Sequence, residues 1–157
     1  MNLTTTTEGG LELHLDHAAE WLLVLAVLHD AESFGFDAAA RVGGRMEGTD
    51  NWDDWREWVL PDIREGFQQH LQTVAKAIQA GRGGKLLDPG VVTIPRTEFF
   101  DWYSALNQAR LALEARYHFE SEPLEDVGDG QSERRAAYFR GQFYLFLQSG
   151  LLDRGLG

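Results

Sequence analysis

The chain has 157 residues, of which 43% are hydrophobic and 11% aromatic, a length and composition that suit one globular domain around one sizeable core. It contains no cysteine, which excludes disulfides, thiolate metal sites and cysteine nucleophiles. Its 25 acids against 14 bases leave a formal charge of −11, which opposes contact with nucleic acid and with anionic membrane surfaces.

The opening Met1 to Glu8 lacks both the basic and the apolar part of a secretory signal, so a cytoplasmic location is expected. Leu11-Glu12-Leu13-His14-Leu15 alternates apolar and polar residues, the pattern of a half-buried strand, and Gly9-Gly10 punctuates its start. Asp16 is placed to cap a helix from His17 to about Ser33. The run Trp21 to Leu28 within it falls short of the ~20 apolar residues of a membrane span and predicts a helix buried on most sides. Gly35 is a natural stop, and Asp37 can cap a short second helix over residues 38–41.

Trp52, Trp55, Val59, Ile63, Phe67, Leu71, Val74 and Ile78 step by three or four and predict one apolar helix face. Pro61 interrupts it, since proline lacks an amide and clashes with the carbonyl four residues back. Either a kink or a second helix with Pro61 in its first turn follows. Val91 to Ile94 is β-branched and can pair with residues 11–15 as a small two-stranded ribbon. A long helix begins near Thr97 or Glu98, with Phe99, Trp102, Tyr103, Leu106, Ala109, Leu113 and Tyr117 as its stripe. Arg116 and His118 suit its negative end. Acids crowd residues 120–132 with Pro123, Gly128 and Gly130, which predicts a solvated loop. A last helix carries Ala136, Phe139, Phe143, Phe146 and Leu147. The fold class is therefore mainly α: a bundle of about five helices, with the ribbon as a minor element.

Chemistry is sparsely signalled. His14, His17 and Glu20 have the right types for a metal site, but His14 lies on the outward phase of its strand and His17 opens a helix. No acid stands three residues before any histidine, so the paired Glu-x-x-His of di-iron bundles is missing. No serine occupies Gly-x-Ser-x-Gly, and Gly81 to Leu86 fails the spacing of a phosphate loop. Trp58 lies off the main stripe, either as the flank of a wide apolar face or as an exposed aromatic marking a partner surface. Arg110 falls inside an apolar stripe one turn after Asn107. A buried guanidinium needs partners for its donors, so Arg110 is read first as a clamp between helices and second as part of a ligand site with Asn107 and Arg116.

Trp102-x-x-Ala105-Leu106-Asn107-x-x-Arg110-Leu111-x-Leu113-x-x-Arg116 resembles the signature helix of a bacterial family catalogued as domain of unknown function twenty-seventeen. Leu147-Gln148 with Leu151, Leu60-Pro61-Asp62, and the strand before Glu20-x-Leu22-Leu23 are similar to other parts of its pattern. Glu114 departs from the glycine common there. The resemblance implies a nearly all-helical fold, no established activity and a family whose genes often neighbour that of the ClpS adaptor. Together these readings predict a non-enzymatic, adaptor-like interaction domain in regulated proteolysis, needing no cofactor and binding another protein. The alternative is a helical bundle that binds a small molecule or a metal.

Overall fold

The computed structural model describes residues 1–84, 88–120 and 132–156. Strands β1 (Asn2–Thr5), β2 (Leu11–Leu15) and β3 (Gly90–Ile94) form an antiparallel sheet with β2 in the middle, so the expected ribbon has a third strand. Leu13 sits opposite both Leu3 and Val92, and Leu11, Leu13 and Leu15 all point into the core. The β1 strand is hard to read because Leu3 is its single apolar residue. The turn that closes the hairpin uses Gly9 at φ 79°, a region that glycine enters without steric cost.

Helix α1 (Ala18–Ala31) starts one residue later than expected, with His17 in place of Asp16 as its N-cap. The reason is Glu20, whose carboxylate reaches back to the amides of Asp16 at 2.7 Å and His17 at 3.3 Å. A glutamate at the third helical position that reaches back to the N-cap amide is the reciprocal half of a capping box. Helix α2 (Ala38–Gly43) is capped by Asp37, which accepts from the Ala40 amide at 3.0 Å. The single turn α3 (Trp52–Asp54) runs through a π-helical stretch, Trp55–Val59, into α4 (Leu60–Gly81), with Pro61 in the first turn. The Leu60 amide bonds the Trp55 carbonyl five residues back. This wide turn adds one residue, so the inward position passes from Val59, which is exposed, to Leu60, which is buried.

Helix α5 (Phe99–Tyr117) lies at the centre and packs on α1, α4 and α6 (Ser132–Leu151). Its buried set differs from the predicted stripe: Ala105, Gln108 and Ala112 are buried, whereas Tyr103 and Tyr117 are half-buried. Beyond its end, His118 takes a left-handed conformation (φ 51°) and its amide bonds the Glu114 carbonyl. The core joins Leu13 and Val92 of the sheet to Trp21 and Val24 of α1, Val74 and Ile78 of α4, Trp102 and Leu106 of α5, and Leu147 of α6. Where α4 meets β3 the two backbones touch. A Cβ on Gly81 would stand 2.4 Å from the Val91 carbonyl oxygen.

Two helices face differently from expectation. On α6, Ala136, Phe139 and Phe146 are exposed, while Ala137, Tyr144 and Gln148 are buried beside Phe143 and Leu147. On α1, Trp21, Val24 and Val27 are buried, but Leu22 is 58% exposed, so this helix is covered on fewer sides than its composition suggests. The mainly α fold class stands, and no helix among the described residues is long and apolar enough to cross a membrane. The expected acidic loop falls almost wholly on 121–131, outside the described residues.

Candidate functional site

The two reoriented helices face each other across a groove of about 620 Å³. Its walls are largely apolar, including Ala19, Leu22, Leu23 and Ala26 from α1 and Ala136 and Phe139 from α6. Phe139 is 61% exposed. His29, Asp30, Glu133 and Arg140 supply its polar groups.

Asp30 and Arg140 form a bidentate pair: Arg140 Nε donates to Asp30 Oδ2 at 2.7 Å and Nη2 to Oδ1 at 3.0 Å. The Tyr144 hydroxyl donates to the same Oδ2 at 2.7 Å. The Asp30 side chain is 2% exposed and that of Arg140 23%. Three donors on a buried carboxylate offset its desolvation, and the planar guanidinium fits it edge to edge. Burial, then the neighbouring Asp30 charge, pushes the Tyr144 phenol well above its ordinary value. The hydrogen bond to Asp30 raises Arg140 further above its ordinary value. Asp30 is thereby fully engaged and Tyr144 is held protonated, so this trio is built to fix geometry. Arg140 is also part of the groove lining.

A second contact continues the row on α6. Arg140, Tyr144 and Gln148 stand four apart and share one helix face. Gln148 accepts from Arg110 Nη1 at 2.8 Å and donates to the Tyr103 carbonyl at 3.2 Å. Arg110 is thus half-buried, with Nη1 on a neutral amide oxygen of α6.

The other sequence-derived candidates are dispersed. Asn107 is half-buried on α5. Arg116 stands 3.8 Å from Glu133, whose carboxylate also accepts from the Tyr117 hydroxyl at 2.7 Å. Trp58 is 69% exposed on the π-helical stretch. None of Asn107, Arg110, Arg116 and Trp58 lines the α1–α6 groove. His14 bonds its diagonal neighbour Thr4 on β1, Nε2 to Oγ1 3.0 Å, while His17 and Glu20 shape the start of α1. Glu20 also holds the Met1 ammonium, and these contacts draw its carboxyl down to about 2. Among the described residues no three His, Asp or Glu side chains converge as metal ligands. His70 and Asp101 do pair, Nδ1 to Oδ1 2.7 Å, with Phe100 edge-on to the imidazole.

Asp30 and Arg140, which line the groove, and the buried Tyr144 bonded to Asp30 escaped the sequence reading. Their signal was the four-residue spacing of polar side chains on α6. No curated protein and no solved structure matches this chain. One family model does, covering residues 16–154, from just before α1 to just past α6. The chain belongs to the family described as Domain of unknown function (DUF2017).

Proposed function

We propose that this chain is a non-enzymatic interaction domain that receives a basic amphipathic helix in the α1–α6 groove. The observation that carries the reading is the pair of exposed apolar side chains, Leu22 and Phe139, on opposite walls of one groove above a fixed ion pair. Helix-in-groove recognition uses such walls for apolar anchors. The net charge of −11 steers a basic partner and repels an acidic one. An adaptor-like role beside regulated proteolysis rests on the family's gene association alone. A non-enzymatic role agrees with Asp30, Glu20 and Gln148 each being engaged in structural bonds.

Calorimetric titration with a synthetic leucine-lysine amphipathic helix tests this. The expected result is saturable binding that Leu22→Asp or Phe139→Asp abolishes. A serine-lysine helix of equal charge should not bind saturably. Equal binding by that control, or binding that survives both substitutions, contradicts the proposal.

A further inference from the structure

A second cavity, of about 350 Å³, opens between the end of α1, α2 and α4, and shares no lining residue with the α1–α6 groove. We infer that it binds an organic ammonium, with Gln108 and Glu32 accepting its N–H groups between Phe36 and Phe67. Its size lies at the small end of the range for small-molecule sites.

Four observations point to that chemistry. Gln108 is 5% exposed, and its Nε2 donates to the Phe67 carbonyl at 3.2 Å. A carbonyl can only accept, so the amide orientation is fixed and Oε1 is the atom left over. No described residue donates to Oε1, although Gln108 lines the cavity. That oxygen is not sealed from solvent, so it stands as an acceptor that a ligand N–H can take in place of water. Second, the exposed acid Glu32 lines the same cavity and pairs with no basic side chain among the described residues. Third, Asp37 and Arg64 also line it but neutralise each other: Arg64 Nε and Nη2 reach Asp37 Oδ2 at 3.1 and 2.5 Å. That bond, with the Ala40 amide, holds the Asp37 carboxyl below its ordinary range despite partial burial. The lining charges of Glu32, Asp37 and Arg64 therefore sum to −1. Fourth, Phe36 and Phe67 supply two aromatic rings, whose faces attract cations. An anion would meet Glu32 and a chain of charge −11; an ammonium satisfies both acceptors at once.

The test titrates the full chain with benzylammonium, using benzyl alcohol and benzoate as isosteres with a neutral and a negative head. Expected is saturable binding of benzylammonium with shifts of the Gln108 side-chain amide resonances. Glu32→Gln should weaken it on the order of tenfold, the value of a charge-assisted hydrogen bond. Glu8→Gln makes the same change in net charge at a residue outside the cavity and should leave binding unchanged. N-acetyl-lysine N-methylamide separates the sources: tighter binding than benzylammonium identifies a lysine of another protein, weaker binding a free amine. The inference is overturned by absent saturable binding, by benzoate or benzyl alcohol binding as tightly, or by Glu8→Gln acting like Glu32→Gln. Because the leucine-lysine helix is assayed on Leu22 and Phe139, either proposal can fail alone.

Discussion

Removing one partner of the Asp30–Arg140 pair gives the sharpest energetic expectation. In Asp30→Ala the guanidinium of Arg140 loses both of its bonds, and the Tyr144 hydroxyl loses its acceptor inside the core. Breaking a buried pair on one side costs about 3–5 kcal/mol. Arg140 is 23% exposed and can recover some hydration, which places Asp30→Ala at the lower end, about 3 kcal/mol. Arg140→Ala instead leaves Asp30, 2% exposed, with Tyr144 alone, and should cost about 4 kcal/mol. In a chain of this length each kcal/mol moves Tm by roughly 2–4 °C, so Asp30→Ala should melt roughly 10 °C lower. The double variant Asp30→Ala/Arg140→Ala leaves neither charge unpaired and should be less destabilised than the single changes summed, by about 2 kcal/mol or more. Urea titrations of the four proteins measure the cycle. An Asp30→Ala variant within about 0.5 kcal/mol of wild type, or strictly additive changes, would refute the view that this pair ties α1 to α6.

Further expectations follow from single contacts. Arg110→Ala removes a bond to the neutral Gln148 amide and should cost about 1–2 kcal/mol in a urea melt, less than Asp30→Ala. Gly81→Ala drives a Cβ into the Val91 carbonyl and should destabilise by roughly 2 kcal/mol or more, whereas Gly66→Ala in the same helix meets open space and should stabilise by about 1 kcal/mol. Tyr144 holds its proton more tightly folded than unfolded, so its contribution is complete below the ordinary phenol value near pH ~10 and is lost as pH rises above it. Urea midpoints should therefore fall more steeply above pH ~10 in wild type than in Tyr144→Phe.

The sequence was most legible where one physical rule acts alone. The alternation of Leu11, Leu13 and Leu15 gave β2, Asp37 gave the cap of α2, and Pro61 marked where the long helix restarts. Legibility failed where polar side chains belong to the core. Arg140, Tyr144 and Gln148 turn inward because Asp30 on α1 and Arg110 and Tyr103 on α5 meet them, partners that lie 38 to 114 positions away. Hydropathy therefore placed Phe139 and Phe146 inside, and tertiary hydrogen bonds placed them outside. The site candidates suffered similarly. Arg110 stood out as a charge on an apolar stripe, and Arg140 had the same character on α6, but the carboxylate that completes a buried pair stands opposite Arg140. Gln108 carries no pattern at all, since an amide inside a helix is common until its neighbour is known to be the Phe67 carbonyl.

Backbone amide shifts of the full chain during titration with the leucine-lysine helix test the interaction surface most directly. Saturable changes confined to the α1 residues 19–30 and the α6 residues 133–140 are predicted, with Trp58 and the sheet unmoved. Changes centred on Trp58 or the sheet, or none at all with Leu22 and Phe139 intact, would contradict a partner helix lying between α1 and α6.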